Sequence, residues 1–137
     1  MSDSAGTLWL DTEKREWSVK MLSATHLSKD QMPTLVEGSE PGAQLSADLT
    51  REWGLSSIPV IAGGAGDNAA GAIGMGAVEP GNVFISIGTS GVYFVVNPTF
   101  LPSPDQGAHA FCHCIPNTRH QMGVILSASN CLSWIAG

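Results

Sequence analysis

Between residues 59 and 76 the chain reads PVIAGGAGDNAAGAIGMG, with one charged residue, Asp67, among small and apolar neighbours. No other stretch constrains the fold as tightly. Gly63, Gly64, Ala65 and Gly66 form a flexible turn that lets backbone come close to another group. The run before it, IPVIAG at 58–63, reads as a short apolar strand buried on both faces. The run after it reads as a helix over residues 67–78. A helix carrying Gly71, Gly74 and Gly76 gives up roughly 1 kcal/mol per glycine relative to alanine. Two gains can offset that cost: close packing on another element, or close approach of a ligand to the first turn. The simplest role for Asp67 is a helix N-cap. Packing accounts for Gly71 and Gly74, but it does not explain an Asp-Asn pair at the mouth of the helix.

The chain has 137 residues, 43% of them hydrophobic, so it can bury a core. Its net charge of -6 argues against a nucleic-acid surface, which needs clustered Lys and Arg, and against anionic lipid. A small phosphate ligand stays open, because backbone N–H groups can hold one without a basic patch. No apolar run approaches the roughly 18–20 residues that span a bilayer, so no membrane partner is expected. The start, MSDSAGTLWLD, has neither the basic residues nor the long apolar stretch of a signal peptide. Three cysteines do not suggest a disulfide framework, and the cytoplasm is the expected compartment.

Elsewhere the pattern is mixed. Asp11 is expected to cap a helix from Thr12, with Trp17, Met21 and Leu22 on one face. Ser28 and Gln31 make a capping-box pattern before Pro33. VEGSEPGAQL reads as a loop. Ser46 is expected to cap a helix ADLTREW that Gly54 ends. Glu79-Pro80-Gly81-Asn82 is a turn and a candidate domain boundary. NVFISIGTSGVYFVVN reads as two strands around a tight turn. PTFLPSPD is a surface loop, HAFCHCI and HQMGVIL are further strands joined by PNTR, and SASNCLSWIAG has helical spacing. An apolar helix is an unusual finish for a domain, so the chain is expected to be part of a longer protein.

The segment SIGTSG at 86–91 can present several N–H groups and the Thr89 and Ser90 hydroxyls to a phosphate. An ordinary hairpin turn has the same composition. It is neither a Walker A loop nor a dinucleotide fingerprint. In order along the chain, a carboxylate at a Gly-rich turn and then a phosphate-type turn suit phosphoryl transfer. A zinc site from His109, Cys112, His113, Cys114 and His120 is a minority reading. Cys112 and Cys114 would share one strand face about 6.6 Å apart, with His113 on the other.

GGAGDNAAGAIGMGAVEPGNVFISIGTSGVYF closely resembles the central segment of the FGGY carbohydrate kinases of the bacterial xylulokinase type. GTLWLDTEKREWS, LSKDQMPTLVEGSE and HAFCHCIPNTRHQMGVILSASNCLSWIAG resemble the same proteins in the same order. The likeness implies an α/β fold: a fragment of a two-domain actin-like, RNase H-like sugar kinase. Residues 1–80 would be the later part of the first, sugar-binding domain. Residues 81–137 would open the second, ATP-binding domain, with Met1 at an internal position.

By the same resemblance Asp67 is similar to the catalytic base that accepts the sugar hydroxyl proton, and Asn68 to the neighbour that binds sugar hydroxyls. Gly88 and Thr89, with Ser90 beside them, resemble the turn that contacts ATP phosphates. ATP with Mg²⁺ is implied, without a dedicated protein metal cage. The implied activity is phosphorylation of D-xylulose to D-xylulose 5-phosphate. Alternatives are an FGGY kinase for another sugar or polyol, and a non-catalytic fragment that binds a sugar or a partner. A homodimer is a further expectation, since exposed half-domain faces can pair with copies of themselves. Among apolar neighbours, Asp67 is expected to be held dry and close to one hydroxyl.

Overall fold

A computed structural model describes residues Met1–Gly137. After a 3₁₀ turn at Ser4–Gly6 come a short hairpin, β1 (Leu10–Asp11) and β2 (Glu16–Trp17), and a helix, α1 (Val19–Ala24). The helix expected from Thr12 is therefore absent. The Asp11 side chain caps a turn instead, accepting from the Lys14 N–H at 3.0 Å. Arg15 follows with φ +60°, a left-handed geometry that no α-helix continues through. Ser18 caps α1, its Oγ accepting from the Met21 N–H. Gln31 Oε1 accepts from the Ser28 N–H at 2.9 Å, closing the expected capping box around a single 3₁₀ turn before Pro33.

VEGSEPGAQL is not all loop: Pro41–Gln44 form β3, antiparallel to β4 (Val60–Ala62). A proline can open a strand, and the apolar partner supplies the ladder. β4 is not buried on both faces as its composition suggested. Val60 and Ile61 are exposed, because β3 is its only neighbour in the sheet. Between these strands lies α2 (Ala47–Glu52), capped by Ser46 and followed by Gly54 at φ +66°, as its sequence predicts.

The Gly-rich turn leads into α3 (Asp67–Gly74), shorter than the 67–78 reading; Met75 caps it and Gly76 turns left-handed. The chain then turns at Glu79–Asn82, where Asn82 Oδ1 accepts from the Val78 and Glu79 N–H groups. A four-stranded antiparallel sheet follows: β5 (Val83–Ile87), β6 (Gly91–Asn97), β7 (His109–Cys112) and β8 (Arg119–Ile125), in the order β5-β6-β8-β7. The 3₁₀ turn Pro104–Gln106 lies in the proline-rich connection. Asn117, at φ +59°, turns the β7–β8 link. The final helix is α4 (Ser129–Ala136).

Only 16 residues are buried, and nine of them make two small apolar cores. One joins Ala5, Leu10, Trp17 and Leu22 to Cys112 of β7. The other joins Ala72 and Ala77 to Phe94 and Val96 of β6. Alanine at 69 and 72 lets α3 lie close on the sheet, and fully burying a side chain such as Phe94 is worth about 1.5–3 kcal/mol. Each core draws on residues from both sides of residue 80. Two arginines reinforce the junction. Arg119 donates to the carbonyls of Thr12 and Glu13, while Arg15 donates to the Thr118 carbonyl and pairs with Glu37.

Candidate functional site

The turn before α3 is held from two sides. A Cβ on Gly63 would strike the Glu37 carbonyl, so only glycine lets these backbones cross. The Gly66 N–H donates to Ser2 Oγ at 3.1 Å, fixing the entry to the helix. Gly66, not Asp67, is the N-cap, and Asp67 is the first helical residue. The carboxylate is therefore not the N-cap, though one of its oxygens still meets a free donor of the first turn. Its Oδ1 accepts from the Asn68 N–H at 2.7 Å and from Asn68 Nδ2 at 3.1 Å. That pairing leaves Asp67 Oδ2 and Asn68 Oδ1 open to a ligand.

The expectation of a dry carboxylate does not hold, for Asp67 is exposed. Helical phase is the reason. Ala69 and Ala72 turn inward, whereas Asp67 shares a face with Gly71 and Gly74 at spacings of four and seven. Nor do these two glycines serve packing: a Cβ at either would meet nothing within 4 Å. The face they form lines a cavity of about 430 Å³ together with Asn68, Met75 and, from β5, Phe84, Ile85 and Ser86. On the other side, Asp67 and Asn68 border a smaller cavity of about 150 Å³, which Ser2, Asp3, His120 and Met122 also line.

Two residues beyond Ser86, the β5–β6 turn presents Gly88, Thr89 and Ser90. Its carbonyls are engaged within the protein. Gly88 O accepts from the Ser129 N–H and hydroxyl, Thr89 O from the Ala128 N–H at 2.7 Å, and Ser90 O from the Gly88 N–H at 2.8 Å. These bonds replace the side-chain cap that α4 lacks. The N–H groups of Thr89 and Ser90 and both hydroxyls have no partner within the chain and lie on an exposed turn. Unpaired N–H groups and hydroxyls on an exposed turn can bind phosphate oxygens. The groove that Asp67 and Asn68 border thus reaches Ser86 of β5, the strand that leads into this turn.

The histidines and cysteines of the β7–β8 segment part company. Cys112 enters the first core, while His113 lies edge-on to Phe94 at 5.7 Å and to His120 at 5.7 Å. The Cys114 thiol donates to the Ala69 carbonyl. Burial pushes both thiols up, away from the thiolate that zinc needs, and no three His, Cys, Asp or Glu side chains gather as a metal site. Burial lowers the His113 pKa, and burial together with His113 pushes His120 down to about 3. The sequence reading missed Asp3 and His120 as neighbours of Asp67. Asp3 sits in an unpatterned start, and His120 looks like any strand residue; the β8–β7 register brings it there.

The FGGY family of carbohydrate kinases, N-terminal domain, is the family whose model matches, over residues 1–74. A xylulose kinase of Escherichia coli (strain K12) is 53% identical over 136 residues, covering 99% of this chain and 28% of that protein. One from Klebsiella pneumoniae is 48% identical, covering 99% and 28%. Among solved structures, that of a xyloylose kinase from Brucella ovis is 57% identical with a TM-score of 0.94, over 98% of this chain and 28% of that one. The chain spans little more than a quarter of the length of the proteins it matches.

Proposed function

The chain belongs to the FGGY family of carbohydrate kinases, and from that premise we propose that it forms the central part of a kinase that transfers phosphate from ATP to D-xylulose, giving D-xylulose 5-phosphate. The observation that carries this reading is the groove along α3: a carboxylate with one free oxygen at its mouth, and a phosphate-type turn just beyond its far strand. Asp67 orients the acceptor hydroxyl and finally takes its proton. Asn68 holds a neighbouring hydroxyl through its free Oδ1. In phosphoryl transfer most of the barrier is lowered by positioning and charge stabilisation, so the base need not be strong.

The free N–H groups of Thr89 and Ser90 would hold phosphate oxygens of ATP, with Gly88 letting the backbone come near. Mg²⁺ typically keeps its waters and binds one or two carboxylates plus phosphate oxygens. In this reading the ion arrives with the nucleotide, whose charge it would help to neutralise. The remaining parts of the reading are a division at residue 80 into sugar-binding and ATP-binding parts, a cytoplasmic setting and a homodimer. The exposed apolar side chains of β4, β5 and α4 support self-association of the isolated chain, and sedimentation velocity would detect it.

The test is a graft: this chain replaces the matching segment of the Escherichia coli xylulose kinase, and ATP-dependent phosphorylation of D-xylulose and of a panel of other ketoses and polyols is measured. The unaltered graft should turn over with D-xylulose preferred. Asp67→Asn, which keeps shape but removes the base, should lower kcat by about 10²–10⁴-fold. Activity within a few-fold of the unaltered graft would remove Asp67 from the chemistry.

A further inference from the structure

The smaller cavity beside Asp67 contains a side chain that the reaction as described does not use. His120 is only 4% exposed, yet it lines that cavity together with Ser2, Asp3, Asp67, Asn68 and Met122. Its position is rigid. It sits on β8, an inner strand, paired with Val96 on one side and Phe111 on the other. The ring stacks on Phe94 at 4.2 Å and 18°, and Phe111 lies 5.5 Å away. His113 stands edge-on behind it.

A phenylalanine would fill the same stack without carrying polar atoms. Instead the ring keeps Nδ1 buried with no hydrogen-bond partner, leaving Nε2 as the nitrogen able to meet a group in the cavity. The ring is neutral at physiological pH, so it can donate to or accept from a hydroxyl but does not attract an anion. Two carboxylates, Asp3 and Asp67, face the same space and repel negative charge while accepting O–H bonds. About 150 Å³ holds a few hydroxyl-bearing carbons and is too small for a nucleoside phosphate.

Building on the kinase reading, we propose that this cavity seats part of an uncharged polyhydroxy acceptor, and that His120 Nε2 hydrogen-bonds one of its hydroxyls. His120 is then a specificity residue. It selects neutral sugars over sugar acids, while Asp67 acts on the hydroxyl that reacts.

The test uses the full-length graft. His120→Phe keeps the stack and removes the nitrogens, while His120→Asn keeps a hydrogen-bonding group. The Phe variant should raise KM for D-xylulose at least tenfold, leave KM for ATP within twofold, and narrow the preference for D-xylulose over a sugar acid. The Asn variant should recover part of the loss. A second measurement needs no variant. Diethyl pyrocarbonate labelling of His120, read by mass spectrometry, should be slowed by D-xylulose and not by ATP, with exposed His26 and His109 as references. An unaltered graft without kinase activity would overturn the underlying reading. An active graft in which D-xylulose fails to protect His120, or in which a folded Phe variant keeps its sugar KM, would overturn this inference alone.

Discussion

Substituting alanine for Gly71 should make the protein more stable and less active, and both halves follow from the geometry of α3. Gly71 lies inside the helix, where glycine costs about 1 kcal/mol relative to alanine. An added Cβ would meet nothing within 4 Å, so no clash offsets the gain. A gain of that size raises a melting temperature by roughly 2–4 °C in a domain of 150–250 residues. The same Cβ projects into the groove shared with β5, where the proposed ligand passes close to the helix backbone. Displacing reacting groups by about 1 Å can cost on the order of 10²-fold in rate, so a drop in kcat/KM of at least tenfold is expected. The assay pairs thermal unfolding with initial rates for the graft carrying Gly71→Ala, Gly74→Ala and both. A variant that is more stable and as active as the parent would refute the idea that the glycine face serves a ligand. A less stable variant would show that the helix needs its glycines for the chain itself.

Thr89→Ala should raise KM for ATP several-fold while leaving KM for D-xylulose unchanged in steady-state kinetics; equal effects on both would take Thr89 out of the phosphate site. Stability should fall with acid below about pH 6.5. The unfolded chain then takes up protons that buried His113 and His120 resist, at up to about 1.4 kcal/mol per pH unit for each histidine, continuing toward pH 3 for His120. Thermal midpoints between pH 7.5 and 4.5 check this. His113→Phe should flatten the slope, and an unchanged slope would count against a neutral buried His113.

Local grammar was legible where one element contained its own instructions. Ser46 before an amphipathic run, Gly54 after it, and Gly88-Thr89-Ser90 between alternating apolar residues each specify a boundary through short-range hydrogen bonds. Asp11 misled because a carboxylate caps a tight turn as well as a helix, and the left-handed Arg15 that decides between them has no signature in the sequence. β4 looks buried in the sequence and is exposed in the fold, because apolar composition reports what a segment can bury, not which neighbours cover it. The candidacy of Asp67 as a site residue rests on its setting among glycines and on family resemblance. Its exposure depends on helical phase, and the cavity it shares with Asp3 and His120 on contacts more than fifty residues apart in the chain, which no local pattern encodes.

The two cores have a consequence for dissecting the molecule. Each has one wall from before residue 80 and another from after it. A cut at the Glu79–Asn82 turn would therefore not release two self-sufficient modules. It would yield two complementary half-shells, each with its apolar lining in water. Expressed separately, they should be insoluble or molten. Mixed, they should reassemble like the pieces of a split reporter, with Arg119 and Arg15 setting the register of the join.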